Sequence, residues 1–187
     1  MSHAYVEAPR EANLLGAISL AVNERVDDAV RLAAAHGGAA PAALVALATF
    51  LDGSSLDVMR RPLGLSHSAA VRLADRLEGA GLVRREPGAD GRSVSIRLTP
   101  GGAALATEIR AAREAALEEV LAPLSAAERS ALTELHEKLL AGITGGRADA
   151  GHICRLCDAD ACGHELGRCP VTTAADRAEA AAAVAVA

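Results

Sequence analysis

Residues 63 to 102, LGLSHSAAVRLADRLEGAGLVRREPGADGRSVSIRLTPGG, restrict the possible folds of this chain more than any other stretch. Behind Ser66, the small and apolar residues Ala69, Ala70, Leu73, Ala74 and Leu77 recur at three- and four-residue steps. This predicts an amphipathic helix whose first turn is capped by the Ser66 hydroxyl and which stops near Gly79. Leu82, Val83, Arg84 and Arg85 then predict a short strand. A tip containing Pro87, Gly88 and Gly91 follows, and residues 93–98 alternate Val94, Ile96 and Leu98 as a second strand does. The helix leaves His67, Ser68, Val71, Arg72, Asp75 and Arg76 on its outer face, and Arg92 ends the ribbon tip. A helix so furnished fits the major groove of duplex DNA, and a cationic ribbon tip fits the minor groove.

Charge agrees once it is divided along the chain. The net charge is −5, yet residues 60–97 hold eight arginines, at 60, 61, 72, 76, 84, 85, 92 and 97, against Asp75, Glu78, Glu86 and Asp90. That stretch is therefore +4 and the remainder −9. A basic face on an acidic body orients a molecule toward phosphate while limiting indiscriminate binding.

The flanks read as helices. From residue 13, Leu14, Ile18, Ala21, Val22, Val26, Val30 and Ala33 form a stripe that ends at His36-Gly37-Gly38. Pro41 opens a second helix over residues 42–51, and Asp52-Gly53 turns the chain. Ser54-Ser55-Leu56 fits either a third strand or a helix capped by Ser55. Behind the ribbon, residues 102–121 form a helix ended by Pro123. Ser125 and Glu128 make a capping box for a helix over 126–141, with Leu132, Leu135, Leu139 and Leu140 inside. Trp is absent and Tyr5 and Phe50 are the only aromatics, so the core must be Ala, Leu and Val. No apolar run reaches the roughly 18 residues of a membrane span, and no basic-then-apolar leader opens the chain, so a cytoplasmic protein is expected.

Three strings, Gly81-Leu82-Val83-Arg84-Arg85, Asp90-Gly91-Arg92 and Leu98-Thr99-Pro100-Gly101-Gly102, resemble the wing signature of the MarR family of transcriptional regulators. The likeness covers about residues 40–105 well and the flanking helices by pattern only. It implies a mainly α fold: a winged helix-turn-helix module with a small β-ribbon wing, flanked by dimerisation helices. The organisation then expected is an N-terminal dimerisation helix (1–38), the DNA-binding module (39–102), C-terminal dimerisation helices (103–143), a Cys-rich segment (144–173) and an Ala-rich tail (174–187). The partners implied are a double-stranded, pseudo-palindromic operator, a second copy of the chain and a small-molecule or redox effector. In such a complex His67, Ser68, Val71 and Arg72 would address bases, Ser66, Arg76 and Arg84 phosphates, and Arg92 the minor groove. The sequence departs from the family at two positions. Val71 stands where Ser or Thr is usual, and Pro62 should end the preceding helix near Arg61.

All four cysteines fall within sixteen positions, Cys154-x2-Cys157-x4-Cys162-x6-Cys169, with His152 and His164 among them. Disulfides do not suit a cytoplasmic protein, whereas a C-x2-C turn brings two thiolates to one centre. Four thiolates suit a closed tetrahedral Zn2+ site, and Cys154, Cys157, His164 and Cys169 are an alternative set. An iron–sulfur cluster also fits. Cys169 precedes Pro170, and the unequal spacing is similar to the cluster loop of MerR-type superoxide sensors. Thr144-Gly145-Gly146 reads as a hinge-like linker behind the dimerisation helices, so a bound metal or cluster is expected on the body rather than at the DNA. The expected activity is non-enzymatic repression by operator occupancy. A thiol oxidoreductase lacks the βαβ surroundings such a motif needs, and a protein-interaction module would not require the arginine-rich face.

Overall fold

The computed structural model describes residues 9–88 and 93–186. α1 (Arg10–Ala34) leads to α2 (Ala40–Ala46), which widens into a π-helical turn (Leu47–Leu51). β1 (Ser54–Ser55), α3 (Leu56–Arg60) and α4 (His67–Gly79) follow, then β2 (Val83–Pro87) and β3 (Val94–Leu98). α5 (Pro100–Leu121), α6 (Ala126–Ile143), α7 (Arg147–Ile153), a 3-10 turn (Cys154–Leu156) and α8 (Pro170–Val186) complete the described chain. The fold is mainly α with one antiparallel sheet in the order β1-β3-β2. Arg85 and Ser54 both lie opposite Ile96, on either side of β3. Asp90, Gly91 and Arg92, assigned above to the wing tip, lie outside the described residues.

The core is the predicted aliphatic one. Leu44, Leu47, Met59, Leu73, Leu77, Ile96 and Ile109 are fully enclosed, so α4 is seated by its Leu73 and Leu77 face against α2, α3 and the sheet. The LTPGG string explains how α5 is joined to the wing. Thr99 caps α5, accepting from the Gly102 N–H at 3.0 Å while its hydroxyl donates to the Gly81 carbonyl at 2.7 Å. At Gly102 a β-carbon would run into the Leu82 carbonyl oxygen, and Gly81 has φ +69°, so both positions call for glycine.

Several expectations need correction. Ser55 does both things proposed for it: it pairs with Ser95 in the sheet and its side chain accepts from the Val58 N–H to cap α3. The stop of α1 is Ala35, at φ 49°, rather than the following glycines. α3 ends at Arg60, as Pro62 demands. Leu135 and Leu139, expected inside, are 56% and 48% exposed, because one chain offers their side of α6 no cover. Thr144 is buried with its hydroxyl on the Leu140 carbonyl, and the Gly145 N–H donates to Asp149, so the linker is fastened instead of hinge-like. The alanine-rich tail forms a helix that begins at Pro170, earlier than expected.

The cysteine segment is seated on the body through the flanking helices, with α8 packed on α6 and Arg110 of α5 paired with Asp158. It also reaches the winged module, which the sequence did not indicate. Leu156 packs on the core, Gly151 lies against Pro62, and the His152 Nδ1 bonds the Pro62 carbonyl at 3.0 Å.

Candidate nucleic-acid interface and cysteine pocket

α4 presents its polar face as the periodicity requires. Ser66, at the N-cap, accepts from the Ala69 N–H at 3.3 Å, which fixes the first turn. Ser66, His67, Ser68, Arg72 and Arg76 are exposed, and Val71 is half-buried beside them. His67 Nδ1 stands 3.5 Å from Asp57, whose carboxyl is held below its ordinary range chiefly by the Arg60 hydrogen bond, with His67 adding to it. α3 and the start of α4 are thus joined through one carboxylate.

The eight arginines are not equivalent, which the residue count could not show. Arg85 bonds Asp75 at 2.7 Å and also Glu78, tying β2 to α4. Arg97 bonds Asp52 and Glu86, both at 2.8 Å, and Arg60 bonds Asp57 at 2.7 Å. Arg84, expected on phosphate, pairs with Glu86 at 2.6 Å and is exposed, so a phosphate oxygen could replace that carboxylate at little cost. Among the described residues, Arg61, Arg72 and Arg76 have no ion pair. The uncommitted cations thus gather on α4 and the turn before it.

The four cysteines line one pocket of about 310 Å³ together with His164, Ala46, Phe50, Leu51, Pro62 and Thr172. The thiols form two pairs. Cys162 and Cys169 have their sulfurs 3.5 Å apart, and Cys154 and Cys157 are held in one tight turn by the Cys157 N–H on the Cys154 carbonyl at 3.0 Å. Cys157 is drawn down to about 7, first by the Cys154 hydrogen bond and then by Arg113 and Arg155, while Cys154 is pushed well up. Burial and the bond to Cys169 push Cys162 up to about 12. Cys169 lies just before α8; burial opposes its ionisation, but donors from Thr172, Val171 and Cys162 outweigh it and hold the thiol below its ordinary value. Among the described residues, no three His, Cys, Asp or Glu side chains converge as a ready-made metal cage. His164 lies in the same pocket, with its Nδ1 engaged by the Thr172 hydroxyl at 3.1 Å and its ring edge-on to Phe50 at 5.3 Å.

Sequence reasoning missed the walls of this pocket. Phe50 and Leu51 reach it from the π-helical turn, and Arg110 anchors the loop through Asp158 at 3.4 Å. Only Pro62, already out of place in the family pattern, signalled that this turn differs.

No protein-family model and no curated protein matches the chain. Solved structures do. A Mycobacterium tuberculosis MarR family protein in complex with p-aminosalicylic acid is 26% identical, with a TM-score of 0.54 over 71% of this chain and 98% of its own. A MarR family transcriptional regulator from Silicibacter pomeroyi is 27% identical, TM-score 0.54, over 67% and 87%. MepR, a regulator of the Staphylococcus aureus multidrug efflux pump MepA, shares the fold at 19% identity, TM-score 0.62, over 75% and 99%. The structural neighbours are thus MarR-family transcriptional regulators, whose chains are matched over most of their length.

Proposed function

We propose that this chain is a MarR-type transcriptional repressor that binds a pseudo-palindromic operator as a homodimer. The observation that carries this reading is α4: a capped, exposed helix with Ser66, His67, Ser68, Arg72 and Arg76 turned outward and its aliphatic face locked in the core. Arg72, His67, Ser68 and Val71 address base edges, and Ser66, Arg76 and Arg84 address phosphates, Arg84 by exchanging its Glu86 partner.

Dimerisation is supported by apolar surface that one chain leaves open. Leu14, Leu15 and Ile18 on α1 and Leu135, Leu139 and Ile143 on α6 are about half exposed or more. A cleft of about 990 Å³ between α1, α5 and α6, lined by Val22, Val26, Leu117, Leu121 and Leu132, continues that surface. A second copy would cover it and give two α4 helices for two half-sites one helical turn apart. A small-molecule effector would act by changing the spacing of those helices, and one structural neighbour is known in complex with a small molecule, p-aminosalicylic acid. Among the described residues no helix is long and apolar enough to cross a membrane, which agrees with a cytoplasmic site of action.

Selection from random-sequence DNA, with light scattering of the free protein, tests the reading. A dimer that enriches a two-fold sequence is expected. A monomer at micromolar concentration, or no enriched sequence, would overturn it.

A further inference from the structure

We propose that Cys154, Cys157, Cys162 and Cys169 bind one zinc-class, thiophilic cation as four thiolates, and that the closed site, acting through His152 and Pro62, braces the turn in front of α4. The consequence for DNA rests on the function proposed above; the bracing itself does not.

Sulfur spacing suits a tetrahedral ion. Zinc–thiolate bonds of ~2.3 Å put the sulfurs of a tetrahedral site about 3.8 Å apart. Cys162 and Cys169, at 3.5 Å, already span one such edge, and Cys154 and Cys157, held in one turn by the Cys157 N–H on the Cys154 carbonyl, line the same pocket as the second pair. A four-iron cluster, with each thiolate on a separate iron, spreads its sulfurs farther than this, whereas a two-iron cluster keeps two thiolates on each iron, so bound iron is the outcome the test must separate from zinc. The ion would draw the two pairs together and displace the thiol protons.

Placement gives the site a target. Ala46, Phe50, Leu51 and Pro62 form its wall, so the winged module, and not the segment alone, shields the thiols from water. Pro62 is buried, and with α3 ended at Arg60 its carbonyl has no helical partner; the partner it finds is His152, two residues before Cys154. Gly151 lies against the same ring, where an added β-carbon would stand 3.4 Å from the proline Cβ. The turn beyond Pro62 is held by the Gly64 N–H on the Arg61 carbonyl and the Leu65 N–H on the Arg60 carbonyl, and leads directly into the Ser66 cap of α4. The proline that breaks the helix and the histidine that receives its carbonyl form one device. Joining the two thiol pairs would hold His152 on Pro62 and stabilise this arrangement over its alternatives.

The test uses the full-length protein, prepared zinc-free under reducing conditions and titrated with zinc alone. Metal content and hydrogen exchange of the amides of residues 61–66 are read together, with no DNA needed. One zinc per chain, and exchange at Gly64 and Leu65 slowed about fivefold or more, are expected. A Cys162→Ser, Cys169→Ser variant should lose both responses. His152→Ala should keep the zinc and lose the protection. Bound iron with visible absorption, disulfides in place of zinc uptake, or zinc bound with no change at Gly64 and Leu65 would overturn the proposal. On DNA selected by the zinc-loaded protein, stripping zinc should weaken binding about 5- to 150-fold, the usual span of coupled sites. Equal affinity with and without zinc would overturn the regulatory consequence. Zinc-dependent protection with no DNA binding at all would instead overturn the repressor reading.

Discussion

Between α2 and β3 the chain fully encloses Leu44, Leu47, Met59, Leu73, Leu77 and Ile96, whereas from Arg147 to Ala185 the buried hydrophobic residues are Cys169, Val171 and Ala175. The first region is held by its own aliphatic core, which acts wherever the chain folds and does not depend on solution chemistry. The second is held by contacts that conditions can change: thiol pairs, ion pairs from Arg110 and Arg147, and one histidine on a proline carbonyl. The difference teaches where control can enter. A module held by its own core is joined to a small segment held by thiol and polar contacts, and on the proposal above the joint is the turn before α4.

Substitutions should separate the two regions. Leu73→Ala, which empties a fully buried site under α4, is expected to cost about 2–5 kcal/mol in urea denaturation. Val171→Ala should cost less; if it cost more, the contrast in cores would be wrong. Ser66→Ala removes the α4 cap and should cost about 1 kcal/mol, measurable by thermal unfolding. Arg147→Ala breaks exposed pairs to Asp176 and Glu179, and a loss of only about 0.2–1 kcal/mol, shrinking in high salt, is expected. The smallest effect is a pH dependence in the wing. Glu86 is held below its ordinary 4.5, first by Arg84 and then by Arg97. Its folded value is depressed, so the contribution is present above 4.5 and fades as pH falls through the folded value. Stability measured from pH 6 to 3 should show this loss in the wild type and less of it in Glu86→Gln.

Much of the reading head was legible because its signals are local. Ser66 as a cap, the spacing of Leu73 and Leu77, the alternation of Val94, Ile96 and Leu98, and the Ser125 and Glu128 capping box each act within one turn or one strand. The pairing of Arg85 with Asp75, ten residues away, and of Arg97 with Asp52, forty-five away, was not legible. Side-chain reach across a fold leaves no period in a sequence. For the same reason the spacing of the four cysteines announced that they would gather, as they do around one pocket, while their seat on Pro62 depended on contacts ninety residues distant. Glycines misled in two places. The helix stopped at a left-handed Ala35 before the left-handed Gly38 was reached, and Gly145 proved to be anchored by Asp149.

The central claim, that α4 reads DNA with its uncommitted arginines, is tested most directly by affinity for the selected site across a salt series. Wild type, Arg72→Ala and Arg85→Ala are the proteins to compare, since Arg85 is already committed to Asp75 and Glu78. Arg72→Ala should lose about 1–3 kcal/mol and relax base preference, while Arg85→Ala, if folded, should keep the wild-type preference. An Arg72→Ala protein that binds the selected site with wild-type affinity and preference would contradict the account.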